Sequence, residues 1–285
     1  MKTVGNKSIP LIAFAGNDAY AKGIAMAVSS VVQNTKGPVR FVVLSDGISQ
    51  QGQDFIKEAA GQSSINFIPV VKERFDGFRR LRGALTTYMR LLLPEILLDE
   101  AWVLYSDADV LWLADVQEFW NERDEAYYGI ATPDCRESAE FDQGVYGEYF
   151  CAGIMMMNLN KWREGRVSQS CEMWLREHPE TRFYDQSAIN RILRGKVKLI
   201  GKEWNVYVGE LRNSRRKMKA LHFAGHLPWK FGVRRNRLDA TRMLWFRKYA
   251  KMRGVSVWTA LREFSPIWKI LLSRLVECCE SSVRS

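Results

Sequence analysis

Apolar positions in this chain fall into short runs separated by longer amphipathic stretches. Residues 9–15 (IPLIAFA) form one such run, ended by Gly16-Asn17-Asp18, and read as a buried strand followed by a turn. Residues 19–32, rich in Ala, Val and Met, predict a helix. Residues 39–44 (VRFVVL) are β-branched and strand-like, residues 51–60 suit a helix, and residues 65–71 predict a third strand. Residues 86–98 predict a helix capped by Thr86 or Thr87, which Pro94 kinks or shortens. Residues 101–105 (AWVLY) predict a fourth strand. The second half continues less regularly. Strands are expected at 127–132 and 154–157, helices at 159–177 and 185–193, and short apolar segments at 197–200 and 220–223. Strands alternating with helices point to an α/β fold with a mainly parallel sheet flanked by helices. Such sheets bind ligands beyond the carboxyl ends of their strands, which directs attention to Gly16-Asn17-Asp18 and Asp107-Ala108-Asp109.

Length and composition narrow the class. The chain has 285 residues, 47% hydrophobic and 26% charged, which suits one large α/β domain, or a domain with an appendage. No run of eighteen apolar residues is present, and no apolar stretch precedes the first strand, so neither a membrane span nor a secretory leader is expected. Five cysteines without a CxxC pair and three scattered histidines argue for reduced thiols in a cytoplasmic setting and against a zinc site. The net charge of +10 is unevenly placed. From Arg234 onward twelve Lys/Arg stand against four Asp/Glu, leaving only +2 for residues 1–233. The boundary is expected there: residues 1–233 as the main domain and 234–285 as a basic, aromatic-rich helical tail.

Four constellations carry chemistry. Asp107 and Asp109, at i and i+2 in extended backbone just past a buried strand, point to one side and can chelate a hard cation through oxygen. A DxD also arises by chance, and its position after AWVLY is what gives it weight. His222, ending a short apolar strand in LHFAGHLPWK, can complete that set as a neutral imidazole, and Gly225 permits close backbone approach to phosphate. Taken alone the same segment is a structural turn around a packed histidine and a buried Trp229. Asp185 and Gln186 open a predicted helix, where an Asp also serves as an ordinary N-terminal charge. Tyr149-Phe150-Cys151-Ala152-Gly153 places small residues ahead of an apolar strand whose Met155 to Met157 read as core filling.

In order and spacing, these blocks resemble family 8 of the retaining glycosyltransferases, which have the GT-A fold, and among them the bacterial lipopolysaccharide galactosyltransferases and glucosyltransferases. The likeness covers nearly all of residues 9–233, from IPLIAFAGNDAYAKGIAMAVSSV through TTYMRLLLPEIL, WVLYSDADVLWLADVQEFW, YFCAGIMMMNLNKWRE and YDQSAINRIL to HFAGHLPWK. It implies that Asp107, Asp109 and His222 bind Mn²⁺ or Mg²⁺ with the diphosphate of UDP-galactose or UDP-glucose. It implies that Asn17, Asp18 and Tyr20 surround uracil and ribose, and that Ala15 and Ala108 also contact the substrate. Arg90, Asp134, Ala152, Gly153, Asp185 and Gln186 would then line the donor sugar, with Cys151 near it and Gly225 and its neighbours at phosphate. The chain departs from the family pattern in three places: Asn17 and Ala19 replace the frequent Asp and Asn; Cys151 replaces Asn or Ser; and the final loop reads HxxGxxPW, leaving His226 or Lys230 to supply the missing lysine's charge. The implied reaction is hexose transfer to a hydroxyl of a glycan or glycolipid, such as lipopolysaccharide or another cell-surface glycan, with net retention. Asp185 or Gln186 would position the sugar or form a covalent intermediate. The competing reading is a catalytically inactive nucleotide-sugar or carbohydrate-binding protein of the same fold.

The tail mixes charge with Trp245, Phe246, Tyr249, Trp258, Phe264 and Trp268, and Ser265-Pro266 opens an expected helix. Such a segment suits a peripheral anchor on anionic lipid, at the inner face of the cytoplasmic membrane, or a basic helix packed on the catalytic domain. No nucleic-acid reader motif accompanies the charge, so no nucleic acid is expected as a partner.

Overall fold

A computed structural model describes residues 8–70, 72–81, 83–134, 149–208, 218–229 and 240–264. The first half follows the apolar pattern closely. Strand β1 (Leu11–Gly16) is buried at every position; a 3-10 turn (Asp18–Tyr20) leads into α1 (Ala21–Asn34). Strand β2 (Arg40–Ser45) then precedes α2 (Gln50–Ala60), whose start is fixed by the Ser49 hydroxyl accepting from the Gly52 N–H. Strand β3 (Ser64–Pro69) lies at the sheet edge and is only partly buried.

Residues 86–98 do not form the single expected helix. They make a 3-10 helix (Thr86–Leu92) and the four-residue α3 (Leu93–Ile96). Pro94 has no N–H to offer the carbonyl four residues back, so an α-helical ladder cannot run through it. Neither threonine caps the segment; Leu85 holds the cap position, and the Thr87 hydroxyl donates instead to the Asp185 carboxylate.

Beyond it come β4 (Trp102–Ser106), β5 (Val110–Trp112), α4 (Val116–Trp120), β6 (Gly129–Pro133) and β7 (Phe150–Asn158). All nine residues of β7 are buried, which agrees with core filling by Met155 to Met157. The helix expected over 159–177 is two: α5 (Leu159–Glu164) and α6 (Val167–Glu177). They part at Gly165, where an added Cβ would sit 2.9 Å from the Tyr128 ring, and at Arg166, whose φ of 47° is left-handed. Next are α7 (Asp185–Ile192), β8 (Val197–Leu199), β9 (Val206–Tyr207) and β10 (Ala220–His222).

Seven strands form one sheet in the order β3-β2-β1-β4-β7-β6-β8, in which β7 alone runs against its neighbours. A second sheet, β5-β10-β9, lies beyond the end of β4. β5, β9 and α4 had no counterpart in the sequence pattern, because elements this short carry too few periods to read.

In the tail, α8 (Ala240–Arg253) and α9 (Val257–Arg262) are ordered on the rest of the molecule. Trp245, Phe246 and Tyr249 are buried, and Tyr249 stacks on Trp245 with ring centroids 5.2 Å apart. Phe264 meets all three rings edge-on, and Trp229 reaches Trp245 at 6.0 Å. Trp258 is exposed. The helix expected to open at Ser265-Pro266, with Trp268, lies outside the described residues, as do Cys135, Cys278 and Cys279. Cys151 and Cys171 are free, buried thiols. Among the described residues, no helix is long and apolar enough to cross a membrane.

Candidate active site

Asp107, Ala108 and Asp109 form the tight link between β4 of the large sheet and β5 of the small one. β10 pairs antiparallel with β5 and sets His222 opposite Val110, so the imidazole arrives beside the residue following Asp109. His222 Nε2 lies 3.3 Å from Asp109 Oδ1 and 3.8 Å from Asp107 Oδ2. One ligand atom from each of the three residues falls within 4.8 Å of the others. Two carboxylate oxygens and an imidazole nitrogen converging in this way are a donor set that Mn²⁺ or Mg²⁺ accepts. Gly153 leaves the ground between them open: a Cβ there would stand 2.4 Å from Asp107 Oδ2 and 2.7 Å from His222 Cε1.

The charges are mutually dependent. Burial works against the His222 cation, yet Asp109's charge and hydrogen bond raise its pKa to about 10. Burial likewise works against the Asp109 carboxylate, and His222 outweighs it, holding Asp109 below its usual range. Asp109 and His222 therefore each favour the charged form of the other. On its far side, His222 Nδ1 lies 2.9 Å from Asn205 Oδ1 and 3.9 Å from Cys151 Sγ, with the Tyr207 ring 5.4 Å away. Asp109 Oδ2 accepts from the Gly225 N–H at 3.3 Å, in a turn where Gly225 has φ 92°.

Arg90 joins this cluster to the start of α7. It is 5% exposed, and its guanidinium donates to the Ala152 carbonyl and to Asp107 Oδ1 at 3.2 Å. Its Nε gives its hydrogen to the Thr87 carbonyl at 3.3 Å and lies 2.7 Å from Asp185 Oδ2. The ring of Tyr105 underlies it, 4.1 Å away. Burial raises the Asp185 pKa to about 6, against the opposing pull of Arg90 and the Thr87 hydroxyl. Gln186 accepts from the Ala152 N–H at 3.0 Å and donates to Asp134 Oδ2 at 3.1 Å. Asn190, one turn along α7, exchanges hydrogen bonds with both backbone groups of Phe150 and so docks the helix on β7. Tyr184, ahead of α7, has φ 53°, a strained setting for a residue with a side chain, at the entry to the site.

A cavity of about 360 Å³ opens onto these groups. Of the residues singled out from sequence, Ala15, Tyr20, Arg90, Asp107, Ala108 and Asp109 line it. So do Cys151, Gly153, Asp185, Gln186, His222 and Gly225. Ala152 and Asp134 stand behind, holding Gln186. Asn17 and Asp18 do not line the cavity. Asp18 Oδ1 accepts from the N–H and hydroxyl of Ser49, which lower its pKa, whereas Asn17 Oδ1 is buried with no partner among the described residues. Lys230 lies outside the described residues. Sequence reasoning missed three supporting residues. Thr87 carried the signal of a cap, Asn190 sat unremarked in the quoted helix, and Asn205 had no local signal at all.

The family model for Glycosyl transferase family 8 matches residues 11–231. A Haemophilus influenzae protein named as a glycosyltransferase is 31% identical over 205 residues, which are 68% of this chain and 62% of that relative. General stress protein A of Bacillus subtilis is 24% identical over 202 residues, covering 66% of this chain and 71% of the relative. The solved structure of the galactosyltransferase LgtC, in complex with donor and acceptor sugar analogues, superposes with a TM-score of 0.73 at 26% identity. It covers 86% of this chain and 95% of LgtC. With the family model spanning residues 11–231 and the mainly parallel, helix-flanked sheet superposing on LgtC, the chain belongs to glycosyl transferase family 8 and has its GT-A fold.

Proposed function

We propose that this protein is a retaining hexosyltransferase that moves galactose or glucose from a UDP-sugar to a hydroxyl of a glycan acceptor, using Mn²⁺ or Mg²⁺. The observation that carries this reading is the convergence of Asp107, Asp109 and His222 on one side of a cavity that Asp185 and Gln186 also line. When bound, the cation supplies positive charge to the diphosphate leaving group. The protein's own residues do the rest. Arg90 ties Asp107 to Asp185, so metal ligand and sugar-side carboxylate keep a fixed separation. Gln186, held at both ends of its amide by Ala152 and Asp134, and Asp185, held by Thr87, orient the hexose with its anomeric carbon open to the acceptor. The acceptor hydroxyl attacks from the face that the nucleotide leaves, and the departing phosphate oxygen takes its proton.

The acceptor we favour is lipopolysaccharide or another cell-surface glycolipid. The positive tail and the exposed Trp258 support contact with an anionic membrane surface on its cytoplasmic side. The burial of Trp245, Phe246 and Tyr249 confines that contact to the remainder of the tail.

The test is thermal unfolding with UDP, with Mn²⁺ and with both, in wild type and in Asp109→Asn, followed by transfer assays with UDP-galactose and UDP-glucose. Saturation at about 100 times the dissociation constant adds roughly 2.7 kcal/mol, a rise of several degrees. The rise should require both ligands and vanish in Asp109→Asn, which should fold normally and transfer no sugar. Near-normal turnover by that variant sinks the metal assignment. Absence of any rise in wild type favours an inactive binding protein.

A further inference from the structure

The residue that aims the metal-binding histidine is one that sequence reasoning passed over. Asn205 sits between a 3-10 turn (Lys202–Trp204) and β9, and its backbone N–H is held by the Lys202 carbonyl at 2.9 Å. β9 runs parallel to β10 with Tyr207 in register with His222, which brings the Asn205 side chain alongside the imidazole. Asn205 is 3% exposed, its Oδ1 lies 2.9 Å from His222 Nδ1, and its Nδ2 has no partner among the described residues.

This arrangement has a chemical consequence. To ligate a cation through Nε2, the imidazole must carry its single proton on Nδ1. An acceptor against Nδ1 favours that tautomer; a donor there would favour the other one, with Nε2 protonated and unable to ligate. The asparagine offers its oxygen to the imidazole, and its NH₂ is buried with no partner among the described residues. The Cys151 sulfur is a poor competitor for the Nδ1 hydrogen. It is a full ångström farther away and already accepts from the Gly153 N–H at 3.3 Å.

We propose that Asn205 is a positioning residue for the metal site, fixing His222 in the tautomer and orientation that present the Nε2 lone pair to the cation beside Asp107 and Asp109. This rests on the metal-dependent reading above, so the probe is the ion alone, without nucleotide or activity. Mn²⁺ uptake, followed by the electron paramagnetic resonance of the free ion, is compared in wild type, Asn205→Leu and Asn205→Asp. Removing the acceptor should weaken Mn²⁺ binding about 10- to 100-fold, as loss of such outer partners does elsewhere. The carboxylate in Asn205→Asp, still an acceptor, should restore it. Wild-type affinity in Asn205→Leu, or an Asn205→Asp variant as weak as Asn205→Leu, overturns the role of Asn205 and leaves the metal site standing. Wild-type protein that takes up no Mn²⁺ overturns both. Should Asn205→Leu fail to fold, nitrogen-15 spectra of the Mg²⁺-saturated wild type decide, since three histidines make assignment tractable. A proton on Nδ1 of His222 is expected; one on Nε2 ends the proposal.

Discussion

At residue scale, Gly153 shows how closely the site is built. Asp107's N–H donates to the Gly153 carbonyl at 2.7 Å, so the strand cannot retreat from the carboxylate it faces. A methyl group in Gly153→Ala would meet Asp107 Oδ2 and His222 Cε1, two groups fixed by Arg90 and Asn205. Overpacking of this kind costs about 1–3 kcal/mol, equivalent to roughly 5- to 150-fold in binding. Mn²⁺ affinity should therefore fall by that range in Gly153→Ala, while far-UV circular dichroism stays native; unchanged affinity would mean that the two ligands are free to shift. Asp107, Asp109 and His222 were legible because their chemistry is local: polar groups placed just past apolar strands. Thr87 and Asn205 were not, because each acts on a partner distant in sequence, Asp185 in one case and His222 in the other.

Elements were legible where they were long and apolar. The four leading strands appeared within one or two residues of their expected bounds; expected helices broke at Pro94 and at Gly165-Arg166, and the strand expected at 154–157 begins four residues earlier, at Phe150, so that Cys151, Ala152 and Gly153 lie within it rather than ahead of it. Helix α1 carries a more consequential interruption. An added Cβ at Gly23 would sit 2.3 Å from the Trp229 ring, and that ring is hemmed by Tyr20 and Trp245 at 6.0 Å each. Replacing a helical glycine by alanine usually stabilises by about 1 kcal/mol. Here the indole cannot yield, and a clash costing about 1–3 kcal/mol should win. Gly23→Ala is expected to lower the midpoint of urea unfolding and, by displacing Trp229, to weaken UDP–Mn²⁺ binding through the preceding Gly225 turn. A more stable variant with intact binding would show that Trp229 has somewhere to go.

For the whole molecule, the issue is how the tail relates to the rest. Its net charge set it apart in the sequence, whereas its aromatic residues tie it down: Phe55 of α2 lies 6.2 Å from Tyr249, and Lys22 of α1 lies 4.4 Å above Phe264. Charge is legible in composition, but which face of a helix is covered depends on partners far away in the chain. We expect Trp245→Ala to cost about 3–5 kcal/mol. That should lower the thermal midpoint of the entire chain by roughly 6–20 °C in one transition. A separate, earlier transition with the main midpoint unchanged would mark the tail as an independent unit.

The site also has a history within each folding event. The Gly225 N–H reaches Asp109 across 116 residues, and Arg90 reaches the Ala152 carbonyl across 62. The two aspartates emerge early in synthesis, and their histidine emerges long after β1 to β4 have been made. Contacts this far apart in sequence close late, after local structure has formed. In refolding, recovery of Mn²⁺ uptake should trail recovery of helical ellipticity. A chain cut short before β10 would carry both carboxylates yet lack their histidine, so Mn²⁺ uptake should report that folding has reached β10.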